Sequence, residues 1–258
     1  MRFKLSGLIV LFQYMSHHYD LTLKIFALKN FVIIGASSGI GKQLANQLLK
    51  SDSQVFGTFY KTENAELEGN ISLHYLNVLD ENPDLSFLPD VIDGLAYCPG
   101  SINLKPFARI KTDEFLQDYQ LQVLGAVKII QALLPKLKKA NNASVVLFST
   151  VAVQTGFNYH TIVSASKGAI EGLTRALAAE LAPNIRINCI APSITDTPLA
   201  ATLLSTDDKK TANAQRHPLK KIGSAEDIAN MSEFLLTDKS AWITGQIFSV
   251  DGGMSSLR

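Results

Sequence analysis

The stretch Val163 to Glu180, VSASKGAIEGLTRALAAE, carries Lys167 one helical turn after Val163. Ile170, Leu173, Leu177 and Leu181 continue behind it at helical spacing, so the lysine belongs near the start of an amphipathic helix. A lysine so placed is set out for chemistry, yet an isopropyl group one turn before it can neither give nor take a proton. A second motif, GASSGIG at Gly35 to Gly41, follows an apolar run and opens a further helical pattern. Small residues there let the backbone approach a pyrophosphate and seat it on the helix N-terminus. Gly35, Ser37, Ser38, Gly39, Ile40 and Gly41 are the expected phosphate cradle.

These motifs need elements to hold them. From Phe31 onward, short apolar runs alternate with helical periodicity, which is the pattern of βαβ units and a parallel sheet covered on both faces. Strands are expected at residues 31–35, 54–59, 72–78, 91–98, 143–149, 185–191 and 246–250. Ile40, Leu44 and Leu48 place a helix from near Gly39. The predicted fold class is α/β: a single-domain, Rossmann-type, doubly wound parallel sheet of about seven strands with helices on both faces. Its ligand would sit at the carboxyl ends of the strands, where the strand order reverses. The polar segment 197–223, with STDDKK and RHP, is the candidate lid. The domain is expected over 30–258, after an extension at 1–29 of uncertain structure.

Composition narrows the partners. With 24 basic and 23 acidic residues and a formal charge of +1, neither a nucleic-acid footprint nor a membrane anchor is indicated. The apolar run LIVLF at Leu8 to Phe12 falls well short of the ~20 residues of a membrane span. Cys98 and Cys189 stand singly in apolar runs, which predicts free thiols and a reducing cytoplasm. His17 and His18 are adjacent but far from other ligand types, so no metal site is expected.

GASSGIG after a strand, IRINCIAPSITDTP from Ile185 to Pro198 and ITGQIFSVDGG from Ile243 to Gly253 together resemble the short-chain dehydrogenase/reductase family. The resemblance runs from about Phe31 to Gly253. It implies hydride transfer between NAD or NADP and the carbonyl or alcohol carbon of a small molecule. It also implies a homodimer or homotetramer built on the helices holding Gln122 and Val163, with the C-terminal strand contributing.

In that family a tyrosine moves the proton, a serine holds the substrate oxygen, a lysine binds ribose and lowers the tyrosine pKa, and an asparagine orders a water relay. By resemblance Lys167 is the lysine, and Thr150 takes the serine's place with Ser149 beside it. Gln122 takes the asparagine's place and Val163 the tyrosine's. Loss of a positioned general acid typically costs ~10²–10⁴-fold in rate. Three readings stay open. Another group supplies the proton, either His160, Tyr159 or a water; the fold is a cofactor-binding module without turnover; or the substrate carries its own acidic group.

The remaining cofactor contacts follow the same resemblance. Ile194 and Thr197 would meet the carboxamide, Gly100 the ribose region and Asn77 the adenine, with Pro192 and Val78 also counted among the cofactor-binding residues and Pro192 chiefly setting the loop geometry. The second strand ends in TFYKT with no acid before Glu63, so Tyr60 and Lys61 favour NADP over NAD. His217 reads as a surface histidine, and Trp242 and Phe248 as core or subunit-interface residues.

Overall fold

Strand β1 (Asn30–Ile34) buries its last four side chains, which point to both faces of the sheet. Burial on both faces requires a helical layer on each side, and the chain supplies them in alternation. The computed structural model describes residues 28–257 except 52, 63–66, 68–70 and 72; the extension expected at 1–29 lies almost wholly outside them. Helix α1 (Gly39–Leu49) follows β1 and buries Leu44, Ala45 and Leu48. Next come β2 (Gln54–Phe59), β3 (Leu73–Tyr75), β4 (Gly94–Tyr97), β5 (Ala143–Phe148) and β6 (Ile185–Pro192). The short strands β7 (Thr195–Asp196) and β8 (Gly223–Ser224) pair with each other, and β9 (Ile247–Val250) is last.

The main sheet has seven parallel strands in the order β3-β2-β1-β4-β5-β6-β9. The winding direction reverses between β1 and β4, so the loops leaving those two strands frame a crevice. They abut closely: a Cβ on Gly35 would lie 3.5 Å from Pro99.

The other helices are α2 (Thr112–Tyr119), α3 (Gly125–Leu137), the short α4 (Ala152–Thr155), α5 (Thr161–Leu181), α6 (Asp207–Arg216) and α7 (Ala225–Leu236). A wider π turn, Gln120–Leu124, joins α2 to α3. Alternation along β5 divides the core: Val145 and Leu147 pack with Ile129, Leu133 and Ile170, whereas Val146 and Phe148 pack with Leu44, Leu48 and Ile228. Truncating a buried leucine here to alanine would cost about 2–5 kcal/mol. Arg186 ties α7 to the sheet, its guanidinium donating to the carbonyls of Leu235, Thr237 and Ser240.

Several boundaries differ from the sequence reading. β3 stops at Tyr75 because the Asn77 side chain accepts from the Leu79 amide at 3.1 Å and turns the chain. β4 starts only at Gly94, since the Asp93 carboxylate accepts from the Asn30 amide at 2.8 Å. The lid segment contains a helix, α6, capped by the Thr206 hydroxyl and begun with Asp207 and Asp208. Trp242 is 100% exposed, which removes the core reading for it, while Phe248 is half-buried against the α1–α7 core.

Candidate functional site

Backbone pairing past the strand ends builds the floor of the site. The Ser149 amide donates to Ile190 at 2.7 Å and the Val151 amide to Pro192 at 3.1 Å, so Ser149 and Thr150 emerge beside the end of β6. Val163, Lys167 and Glu171 lie four residues apart on α5 and share one face. Together with the loops after β1, β4 and β6 they enclose a cavity of about 310 Å³. Ile40, Gly100, Gln122, Ser149, Thr150, His160, Val163 and Lys167 all line it, as do Pro192, Ile194 and Thr197.

The two neighbouring hydroxyls have different fates. Ser149 donates to the buried Glu171 carboxylate at 2.8 Å, so its proton is already committed. Thr150 only accepts, from the Ala152 amide at 3.3 Å, and retains its own proton for a ligand. Lys167 loses hydration, which pulls its ammonium down to about 8. A Cβ on Gly100 would stand 3.5 Å from Gln122 Oε1 and 3.8 Å from Lys167 Nζ, so the glycine keeps the space between them open. The Gln122 amide has one orientation available: Nε2 donates to Asp118 Oδ2 at 2.8 Å, and a carboxylate can only accept. Ser101 donates to the other Asp118 oxygen. Gln122 Oε1 is therefore turned away from Asp118 and is buried without a hydrogen-bond partner among the described residues.

Tyr97 and Cys98, in the loop beside this group, point in opposite directions. Tyr97 donates its hydroxyl to the Leu121 carbonyl at 2.6 Å and so braces the π turn that presents Gln122. Gly125 permits this, since a Cβ there would be 2.3 Å from the phenol oxygen. Cys98 faces the cavity, and burial pushes its thiol up to about 12, which makes it a poor nucleophile.

His160 precedes α5, with Nδ1 at 2.8 Å from the Asn158 carbonyl. Because a carbonyl only accepts, Nδ1 carries the proton. Tyr159 is 56% exposed in a left-handed conformation (φ 72°) and does not line the cavity, so it is not a group that could take over the proton. His217 is 2% exposed, which corrects the surface reading. Its Nδ1 is held by the Asn213 carbonyl and its Nε2 by the Ser193 hydroxyl, each at 2.8 Å, and it borders the same cavity.

The residues fit a dinucleotide. A Cβ on Gly41 would lie 2.2 Å from the Gly35 carbonyl oxygen, so only glycine allows this approach. Gly35 and Gly39 adopt φ of 83° and 53°. Ser38 makes no side-chain cap to α1, whose first turn has no acid, and its amides remain available to an anion. Farther out, Tyr60 and Lys61 are exposed at the end of β2, with the ammonium 5.8 Å from the ring centre. The Asn77 side chain is occupied locally by Asp80 and Leu79, and the adjoining Val78 is buried. Tyr60, Lys61, Asn77 and Val78 lie outside the cavity lining.

Asp118, Ser101, Glu171, Arg216 and the role of His217 escaped the sequence reading. Asp118 stands four residues before Gln122 and Glu171 four after Lys167, and that spacing was the available signal. Among the described residues, no cluster of three or more His, Cys, Asp or Glu could hold a metal ion, and no helix is long and apolar enough to cross a membrane.

A family model described as enoyl-(acyl carrier protein) reductase matches residues 87–255. The 3-oxoacyl-[acyl-carrier-protein] reductase of Thermotoga maritima is 29% identical over 238 residues, covering 86% of this chain and 96% of that protein. The L-xylulose reductase of Caenorhabditis elegans is 29% identical over 244 residues, covering 90% and 97%. Among solved structures, ElxO with NADP bound superposes with a TM-score of 0.80 at 30% identity, over 89% of this chain and 100% of that one. A tyrosine-to-phenylalanine variant of ElxO with NADPH bound gives 0.79 at 29% identity, with the same coverage.

Proposed function

This chain belongs to the short-chain dehydrogenase/reductase family of NAD(P)-dependent oxidoreductases, and we propose that it reduces a small carbonyl substrate with NADPH, using His160 in place of the family's tyrosine. The observation that carries this reading is one cavity onto which Thr150, His160, Gln122, Lys167 and the Pro192 to Thr197 segment all open, with Val163 at the position resembling the tyrosine.

The bound nicotinamide supplies the hydride, and the protein must supply the matching proton. The amides at the start of α1 would hold the pyrophosphate, Lys167 the ribose, and Ile194 and Thr197 the carboxamide. Tyr60 and Lys61 would take the 2′-phosphate; the NADP and NADPH in the ElxO structures support that choice. Thr150 donates its free proton to the substrate oxygen and fixes its position. His160, with Nδ1–H anchored on Asn158, carries a proton on Nε2 as the imidazolium and gives it to the same oxygen. The neutral ring left behind is the tautomer the Asn158 carbonyl already favours. Lys167 and the unpartnered Gln122 Oε1 can order a water that reloads the histidine.

A titration of the protein with NADPH and NADH, followed by a broad panel of aldehydes and ketones, tests this reading. Turnover of at least one carbonyl is expected, as is a preference for NADPH that Lys61→Glu reverses. Tight cofactor binding with no turnover across the panel would refute the reductase reading and favour a cofactor-binding module.

A further inference from the structure

Resting on the reductase reading, we propose that the substrate is an apolar-bodied oxo acid whose carboxylate is recognised by Arg216 at the lid. Among the described residues, no aspartate or glutamate lines the cavity, whereas Lys167, Arg216, His160 and His217 all do. Three of these basic groups have other tasks. His217 is tied at both nitrogens, His160 is anchored on Asn158, and Lys167 is assigned to the ribose in the reductase reading. Arg216 remains.

Its environment differs from that of the other lid cations. Lys210 pairs with Asp196 at 3.3 Å and Lys221 with Asp227 at 3.6 Å, and Lys220 donates to the Gln215 carbonyl. Arg216 has no carboxylate or carbonyl partner among the described residues; its guanidinium lies 5.4 Å from the centre of the Phe157 ring. A planar guanidinium resting on an aromatic face keeps its N–H edge available for bidentate binding of a carboxylate. The same Phe157 ring meets His160 edge-on at 5.5 Å, so the cation and the proposed proton donor share one end of the cavity. Leu104, Val151, Leu199, Leu203 and Met254 supply the apolar remainder. This arrangement selects a molecule with a carbonyl at Thr150, an apolar middle and an acid at the lid.

The test uses the full chain loaded with NADPH, with levulinate and 7-oxooctanoate as probes, each against its methyl ester. Affinity is read by calorimetry and KM by NADPH oxidation. At least one acid is expected to bind roughly tenfold or more tighter than its ester, the scale of a charge-assisted hydrogen bond. That advantage should vanish in Arg216→Gln and return in part in Arg216→Lys, which keeps the charge and loses the fork. Esters binding as well as the acids, an advantage that survives Arg216→Gln, or no binding of either acid would overturn the proposal. An acid that binds through Arg216 while no NADPH is consumed would instead sink the reductase reading and leave the recognition site standing.

Discussion

Replacing Val163 by tyrosine examines the proton step most directly. Val163 is 6% exposed, lines the cavity, and sits one turn before Lys167 on the same face of α5. A tyrosine there would place a phenol between Thr150 and Lys167, with the lysine positioned to lower its pKa. A positioned general acid contributes ~10²–10⁴-fold, equivalent to roughly 3–5 kcal/mol of barrier. Against this stands the extra volume, and overpacking a filled core costs about 1–3 kcal/mol. Because the side chain faces a cavity of about 310 Å³, the lower end of that cost applies, and it falls on folding stability, read as Tm, rather than on kcat. Because His160 already donates in the native protein, Val163→Tyr alone should raise kcat by at most about 10²-fold, and the full ~10²–10⁴-fold should show only when His160→Gln is compared with and without the tyrosine. The assay is steady-state NADPH oxidation across the neutral pH range, run as a double-mutant cycle with His160→Gln. In the native background His160→Gln should lower kcat by roughly 10²-fold. In the Val163→Tyr background the same substitution should cost little, since the phenol has taken over. An equal loss in both backgrounds, with both proteins folded, would refute the assignment of His160 and the reasoning behind it.

Other consequences are more local. Gly41→Ala puts a methyl 2.2 Å from the Gly35 carbonyl oxygen; the loop must open, and NADPH affinity measured by fluorescence titration should fall by about tenfold or more while the circular dichroism spectrum is kept. Lys167 has its pKa lowered to about 8 by burial, so the unfolded chain binds that proton more tightly. Stability should therefore gain a rising contribution as pH climbs from about 8 toward the ordinary lysine value of ~10.4. Below that window the buried ammonium is a constant burden, and Lys167→Met should not lower Tm at neutral pH, although it abolishes turnover. Cofactor affinity should weaken as pH passes about 8 and the ammonium is lost, which the same fluorescence titration repeated across pH would show. Tyr97→Phe removes the brace on the Leu121 carbonyl. With one partner of a buried hydrogen bond gone, a loss of about 1–3 kcal/mol is expected in denaturant unfolding, with kcat affected more than KM because Gln122 is displaced.

The sequence by itself determined the doubly wound sheet, the glycine-rich loop after β1 and the place of Lys167 on its helix. Each is written in short-range signals: apolar runs of strand length, helical periodicity, and glycines where the backbone must turn or approach closely. Ser149 and Thr150, adjacent in sequence, look equivalent, and only the packing of Glu171 against one of them decides which keeps a free proton. Tyr159 and His160 are likewise neighbours, but the left-handed turn at Tyr159 sends one side chain to solvent while the other lines the cavity. His217 reads as a surface residue in a polar stretch, yet Ser193, 24 residues away, and Asn213 bury it between them. Arg216, at the end of α6, stands over Phe157, which lies 59 residues before it in the chain. Such choices depend on which strands pair and which helix faces meet, and contacts between residues far apart in the chain leave no periodic trace in it.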